Sequence, residues 1–123
     1  MSFDNRYAAE QFCYLTTTGR VTGNPHEIEI WFGLAGNTLY MLSGGRENSD
    51  WVKNLRKTPT VRVRIADTQM SGVARIVREQ SDEDALARQM LRSKYQPGYA
   101  SDLSEWERTA LPVAVDLDLS QGD

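Results

Sequence analysis

The chain has 123 residues, 40% hydrophobic and 25% charged, which is enough for one compact core but not for two independently buried ones. Fourteen basic against seventeen acidic residues give a formal charge of −3, which excludes a general nucleic-acid binder relying on many phosphate contacts. No apolar run approaches the roughly 20 residues of a membrane span, and a single cysteine and a single histidine exclude an internal disulfide and a multi-thiolate zinc cluster and argue against any structural metal.

The opening Met1-Ser2-Phe3-Asp4 lacks the basic then apolar pattern of a targeting segment, so a soluble cytoplasmic protein is expected. Residues 12–18, Phe-Cys-Tyr-Leu-Thr-Thr-Thr, are aromatic and β-branched and read as a strand, followed by a loop punctuated by Gly19, Gly23 and Pro25. From His26 to Phe32 the pattern alternates, with Ile28, Ile30 and Phe32 on one face and Glu27, Glu29 and Trp31 on the other. Gly36-Asn37 suits a two-residue hairpin turn that makes this strand the antiparallel neighbour of residues 38–42. Trp51 and Leu55, four apart, predict a short amphipathic helix over 47–56, which Pro59 closes.

Val61, Val63 and Ile65 alternate with Arg62 and Arg64 as a further strand. Another follows over 69–78, where Gly72 marks a bulge or a close backbone approach. Ser81 followed by three acids is a helix start, and Leu86, Met90 and Leu91 are its expected buried stripe over 81–94. Pro97-Gly98 breaks the chain, a helical turn is expected over 102–108, and Val113, Val115, Leu117 and Leu119 alternate as the last strand. Six strands with helices after the third and fifth make residues 1–123 a single α+β domain built on a small antiparallel barrel. Such a barrel is filled by its own side chains, so a ligand belongs on the rim or at a junction with the helices.

Charge is unevenly distributed. Residues 1–64 hold eight Lys/Arg and six Asp/Glu, residues 65–123 six and eleven, so an anionic ligand is expected at the first half. There, Gly19, Arg20 and Gly23 form a loop able to present N–H donors and one cation to an oxyanion, and equally able to serve as a polar connection. Ser43-Gly44-Gly45-Arg46 precedes the helix that carries Trp51, so two glycines, a guanidinium and a helix N-terminus converge there, although neither nucleotide-binding spacing is met. Arg62 and Arg64, with Lys53, Arg56 and Lys57, make either a basic rim or an edge protected against aggregation. Cys13 reads as a buried thiol and His26 as a surface residue, and no nucleophile–base order is apparent.

Five pieces in register carry a resemblance: Tyr14-Leu15-Thr16-Thr17-Thr18-Gly19-Arg20, Gly23-x-Pro25, Ser43-Gly44-Gly45, Trp51-x-x-Asn54-Leu55-x-x-x-Pro59-x-Val61, and Trp106-x-Arg108-Thr109-x-x-Pro112-Val113. Over roughly residues 12–118 the chain resembles the deazaflavin-dependent nitroreductase family, whose fold is a split β-barrel related to flavin-binding proteins and whose members use reduced coenzyme F420. The resemblance implies an α+β split β-barrel with flanking helices and an oxidoreductase that passes a hydride to a small quinone, enone or nitro compound. It implies Gly19, Arg20 and Gly23 at the coenzyme's phosphate and acidic tail, the backbone of Glu29, Ile30 and Trp31 against the ring, and Ser43, Gly44, Gly45, Trp51 and Asn54 around both. Arg46 joins Arg20 as a second phosphate contact in this reading, and Tyr95 or Tyr99 is the candidate proton donor.

The chain departs from the family pattern at Val21, where a basic residue is common, and at Glu27 and Glu29, which add negative charge. Those departures keep FMN as the alternative cofactor, and a non-catalytic module holding a flavin-like or apolar ligand as the alternative function. Tyr95 and Tyr99 are out of register with the aromatic residues of nitroimidazole-reducing relatives, so that activity is not carried over.

Overall fold

The computed structural model describes residues 5–118, with side chains from Tyr7 onward; Met1–Asp4 and Leu119, the last expected position of the final strand, lie outside them. A four-residue helix α1 (Asn5–Ala8) leads into strands β1 (Cys13–Thr18) and β2 (Pro25–Ile30), a short β3 (Gly33–Ala35) and β4 (Thr38–Ser43). Helix α2 (Asp50–Lys57), strands β5 (Thr60–Ile65) and β6 (Thr68–Ile76), helices α3 (Asp82–Tyr95) and α4 (Ser104–Thr109), and strand β7 (Leu111–Leu117) follow. All strand pairs are antiparallel, in one curled sheet of order β2-β1-β5-β6-β7-β4-β3. This is the split half-barrel expected from the resemblance.

Alternation decides which side chains fill the barrel. Leu15 on β1, Val61, Val63 and Ile65 on β5, and Val113 and Val115 on β7 all point inward and are buried. On β4, Leu39 and Met41 face this interior, whereas Tyr40 and Leu42 face a second apolar layer with Leu91 and Tyr95 of α3. Two-sided burial is why β4 has almost no exposed position. The expected close approach at Gly72 is present, since a Cβ there would lie 2.5 Å from Val115 Cγ1 and 2.9 Å from the Asp116 carbonyl oxygen on β7.

Two expectations need correction. The alternating run 26–32 is not one strand paired to 38–42: β2 pairs with β1, the chain breaks at Trp31-Phe32, and only the three residues of β3 pair with β4 around the Gly36-Asn37 turn, Gly36 having φ +60°. A seventh strand results, and β2 and β3 become the two edges, so the barrel is split rather than closed. The second correction concerns the stripe of α3. Leu86 is 43% exposed, Met90 is half-buried against Gly33, and the buried positions are Asp84, Ala87, Leu91 and Tyr95. At 100° per residue, Leu86 and Leu91 stand about 140° apart and never formed one face, whereas spacings of three, four and four do.

The capping of α3 is as expected and more elaborate. Ser81 Oγ accepts from Asp84 N–H (3.1 Å), while Asp84 accepts from the Gln80 N–H (2.8 Å) and from Arg88 Nε (2.7 Å), a reciprocal cap that makes a buried carboxylate tolerable.

Candidate active site

Two cavities open on either side of the same strand, β2. The first, about 500 Å³, lies between the Gly19–Thr22 loop, His26–Ile28 and the α2 face bearing Asp50, Trp51 and Asn54. The second, about 430 Å³, is lined by Glu29, Ile30 and Trp31 together with Phe12, Tyr99 and Trp106, over a floor of Leu42 and Leu103. At about 3.3 Å per strand residue, the stretches Glu27-Ile28 and Glu29-Ile30 place the two cavities within about 7 Å along the backbone.

Arg20 anchors the first cavity through a strap onto α2. Its backbone N–H and Nη1 both donate to Asn54 Oδ1 (3.2 and 2.9 Å), Nη2 pairs with Asp50 Oδ1 at 3.1 Å, and its carbonyl accepts from Lys57 Nζ at 2.9 Å. Asn54 is buried and donates to Thr17 Oγ1 (3.2 Å), so it positions Arg20 rather than facing the cavity as an open donor. Gly19 is required by contact: a Cβ there would sit 2.7 Å from His26 Nε2. The sequence offered His26 only as a surface residue, and it is exposed, yet its ring covers Gly19 and lines the cavity.

Loop amides do less than the sequence reading expected. Gly19 N–H donates to the Asn24 carbonyl (2.7 Å), Gly23 N–H to the Gly19 carbonyl (2.9 Å) and Asn24 N–H to Thr22 Oγ1 (3.2 Å), which closes the turn that Gly23 enters at φ +79°. With the Arg20 amide on Asn54 as well, the guanidinium is the cation this loop brings to an anion.

The Ser43–Arg46 segment is divided between structure and surface. Ser43 is buried, its hydroxyl donating to the Arg46 carbonyl (3.0 Å) beside Ser49 Oγ (2.8 Å). Gly44 lies against the Trp106 ring, a Cβ there being 3.8 Å from Cδ1, and at Gly45 it would clash with Ser49 Oγ at 2.6 Å. Arg46 does not converge with Arg20. Its Nη1 donates to the Thr109 carbonyl (2.7 Å), its Nη2 reaches both oxygens of Glu79 at 3.0 Å, and it lines neither cavity. An acid 33 residues downstream in sequence had already claimed it, which no local spacing could show.

Aromatic surfaces build the second cavity. Trp31 stacks on Tyr95 with ring centroids 4.2 Å apart and planes 2° from parallel, and Tyr99 and Trp106 meet it edge-on at 5.4 and 5.6 Å. Glu29 supplies one carboxylate to the rim, accepting from Tyr14 Oη at 2.7 Å, and this bond pushes the Tyr14 phenol above its ordinary range. The two candidate proton donors separate here. Tyr99 is 47% exposed at the cavity mouth, whereas Tyr95 is buried, its hydroxyl bonded to backbone and pushed up to about 12 by burial. Phe12, Leu42, Leu103 and Trp106 were missed as site residues, because they converge only through the packing of α3 and α4 on β4.

Among the described residues no group of His, Cys, Asp and Glu is placed to hold a metal, and no helix is long and apolar enough to cross a membrane. A family model described as F420H(2)-dependent quinone reductase matches residues 4–118. Among solved structures, one titled F420-H2 dependent reductase (FDR-A) aligns at 21% identity with a TM-score of 0.69, over 85% of this chain and 93% of that one. Another, titled F420 reductase, aligns at 15% and 0.66 over 93% and 92%, and the heme storage protein HutZ from Vibrio cholerae at 12% and 0.75 over 93% and 87%. At such identities these likenesses are likenesses of fold.

Proposed function

The chain belongs to the F420H(2)-dependent quinone reductase family and is an F420-dependent oxidoreductase, and we propose that the first cavity holds the coenzyme's anionic chain while the aromatic cavity holds its ring with the acceptor against it. The observation that carries this reading is the strand β2, which borders a cavity holding Arg20 at Glu27-Ile28 and an aromatic one at Glu29-Ile30 and the following Trp31. The donor set suits a planar ring joined to an anionic chain: Arg20 and the Trp51 side of α2 for the anion, and the backbone of Glu29–Trp31 with Trp106 and Gly44 beside it for the ring.

Reduced F420, when bound, supplies the hydride. The protein's part is to orient two flat molecules and exclude water from between them. Trp31 and Trp106, set at right angles, give the aromatic cavity two walls, and the small Gly44 leaves room beside Trp106. Tyr99, at the mouth with its hydroxyl near solvent, is placed to pass a proton to the product oxygen, as is water. Ser43, Gly45 and Gly23 shape backbone in this reading, and Arg46 takes no part in coenzyme binding. Quinones, enones and nitro compounds are the acceptor classes proposed. A cytoplasmic setting belongs to the same reading and is supported by the chain's one buried thiol, Cys13.

Titrating the protein with reduced F420, FMN and FAD while following fluorescence, and then adding an acceptor panel, tests the proposal. Tight binding of reduced F420 alone, followed by acceptor-dependent oxidation, is the expected result. Bound reduced coenzyme that stays unoxidised across quinones, enones and nitroaromatics would replace the reductase with a binding module.

A further inference from the structure

Where the barrel splits, Phe32 must pass from one edge of the sheet to the other without a strand partner, and its ring is fully buried in the core. Its backbone groups cannot go unpaired there. The Phe32 N–H donates to Tyr95 Oη at 3.0 Å, and the Phe32 carbonyl accepts from Lys94 Nζ at 2.9 Å, the ammonium also lying 3.7 Å above the Phe32 ring. The Tyr95 hydroxyl, with one proton to give, stands 2.8 Å from the Gln11 carbonyl and 3.2 Å from that of Phe32. The shorter contact assigns the proton to Gln11, the Phe32 carbonyl having its own donor in Lys94.

One hydroxyl thus joins two chain segments far apart in sequence. The residue after Gln11 is Phe12 and the residue before Phe32 is Trp31, and both line the aromatic cavity. Tyr95 also presents its ring face to Trp31 in parallel contact. We infer that Tyr95 is the positioning residue of this cavity: its hydroxyl fixes the spacing of the Phe12 and Trp31 walls, and its ring fixes the plane of Trp31. It is not the proton donor, since its hydroxyl is spent on backbone at the back of Trp31. The kinetic consequence rests on the proposed placement of the acceptor in this cavity.

Tyr95→Phe keeps the ring and removes the clamp. In the coenzyme-free protein, amide exchange at Phe32 should accelerate by about tenfold or more, since one buried bond is lost. In the holoenzyme, the acceptor KM should rise by roughly tenfold with kcat within about twofold, because displaced walls lose contacts made equally in the ground and transition states without removing a reacting group. Tyr40→Phe is the matched control: it removes a hydroxyl that donates to Glu83 at 2.7 Å in the first turn of α3, at the opposite end of that helix from Tyr95, and should leave the acceptor KM unchanged. Lys94→Met is a second, milder variant, which draws the Tyr95 proton back toward Phe32 and should raise the KM by less.

Unchanged Phe32 exchange in Tyr95→Phe would overturn the clamp. So would a fall in kcat at constant KM, which is the signature of a lost proton donor. If exchange accelerates while neither Tyr95→Phe nor Trp31→Ala alters the acceptor KM, the clamp stands and the placement of the acceptor is overturned instead.

Discussion

Arg20 offers the sharpest test of the coenzyme site, because the structure shows what a bound anion must displace. Its Nη2 is engaged by Asp50, whose side chain is 84% exposed, while Nη1 and the backbone N–H are held by buried Asn54. A phosphate taking Nη2 gains a charge-assisted hydrogen bond of about 1.5–3 kcal/mol and gives up an exposed ion pair of about 0.2–1 kcal/mol. The net of about 0.5–2.8 kcal/mol corresponds to about a 2- to 110-fold loss of coenzyme affinity in Arg20→Ala. Asp50→Asn should do the opposite and tighten binding by up to about fivefold at low salt, fading as salt screens the exposed carboxylate. Arg46→Ala should leave affinity unchanged, its guanidinium being held by Thr109 and Glu79. Fluorescence titration with intact coenzyme and with a deazaflavin lacking phosphate and acidic tail separates local from global effects. Equal losses for both ligands, or an Arg46→Ala defect matching that of Arg20→Ala, would refute the assignment.

Four further outcomes follow from the packing. Leu91→Ala should cost about 2–5 kcal/mol in urea unfolding, whereas Leu86→Ala, on the exposed side of α3, should stay within about 0.5 kcal/mol; equal effects would refute the observed helix face. Gly72→Ala should lose about 1–3 kcal/mol through overpacking against β7, and an unchanged urea midpoint would contradict the close approach of β6 and β7 there. Burial pushes the Cys13 thiol up to about 12, so the folded state holds its proton longer than the unfolded chain; stability should fall as pH rises from about 9 toward 12, a fall that is smaller in Cys13→Ala, where Tyr40 and Tyr95, also pushed up to about 12, still contribute. Burial pushes the Lys94 ammonium down to about 8, so the sign reverses, and wild type should gain on Lys94→Met between pH 8 and 10.5.

What the sequence displayed well was whatever a strand or helix settles within itself. The inward set of β5, the Gly36-Asn37 turn, the Ser81 cap and the tight spot at Gly72 each depend on neighbours a few residues away or on the absence of a Cβ. The stripe of α3 was misjudged because hydrophobicity favoured Leu86, while tertiary packing selected Ala87 and the amphipathic Tyr95. Arg46 was misjudged for a related reason: a guanidinium next to glycines looks available until its long-range acid is known.

The split itself shows why the aromatic cavity was harder to read than the Arg20 loop. Residues 26–32 alternate perfectly, and alternation cannot signal a strand that changes edges halfway, since Phe32 remains buried on either account. The strand ends at Ile30, opposite the first residue of β1, and beyond it the Tyr95 hydroxyl, 63 residues away from Phe32, stands in for a ladder partner there. That substitution also turns Trp31 from an outward strand residue into a cavity wall, backed by the ring of the same tyrosine. Arg20, by contrast, stays where its local loop puts it, and α2 has only to come up beside it. An anion site needs one well-placed cation. A flat aromatic cavity needs several surfaces at set angles, and those angles are settled only when distant elements pack.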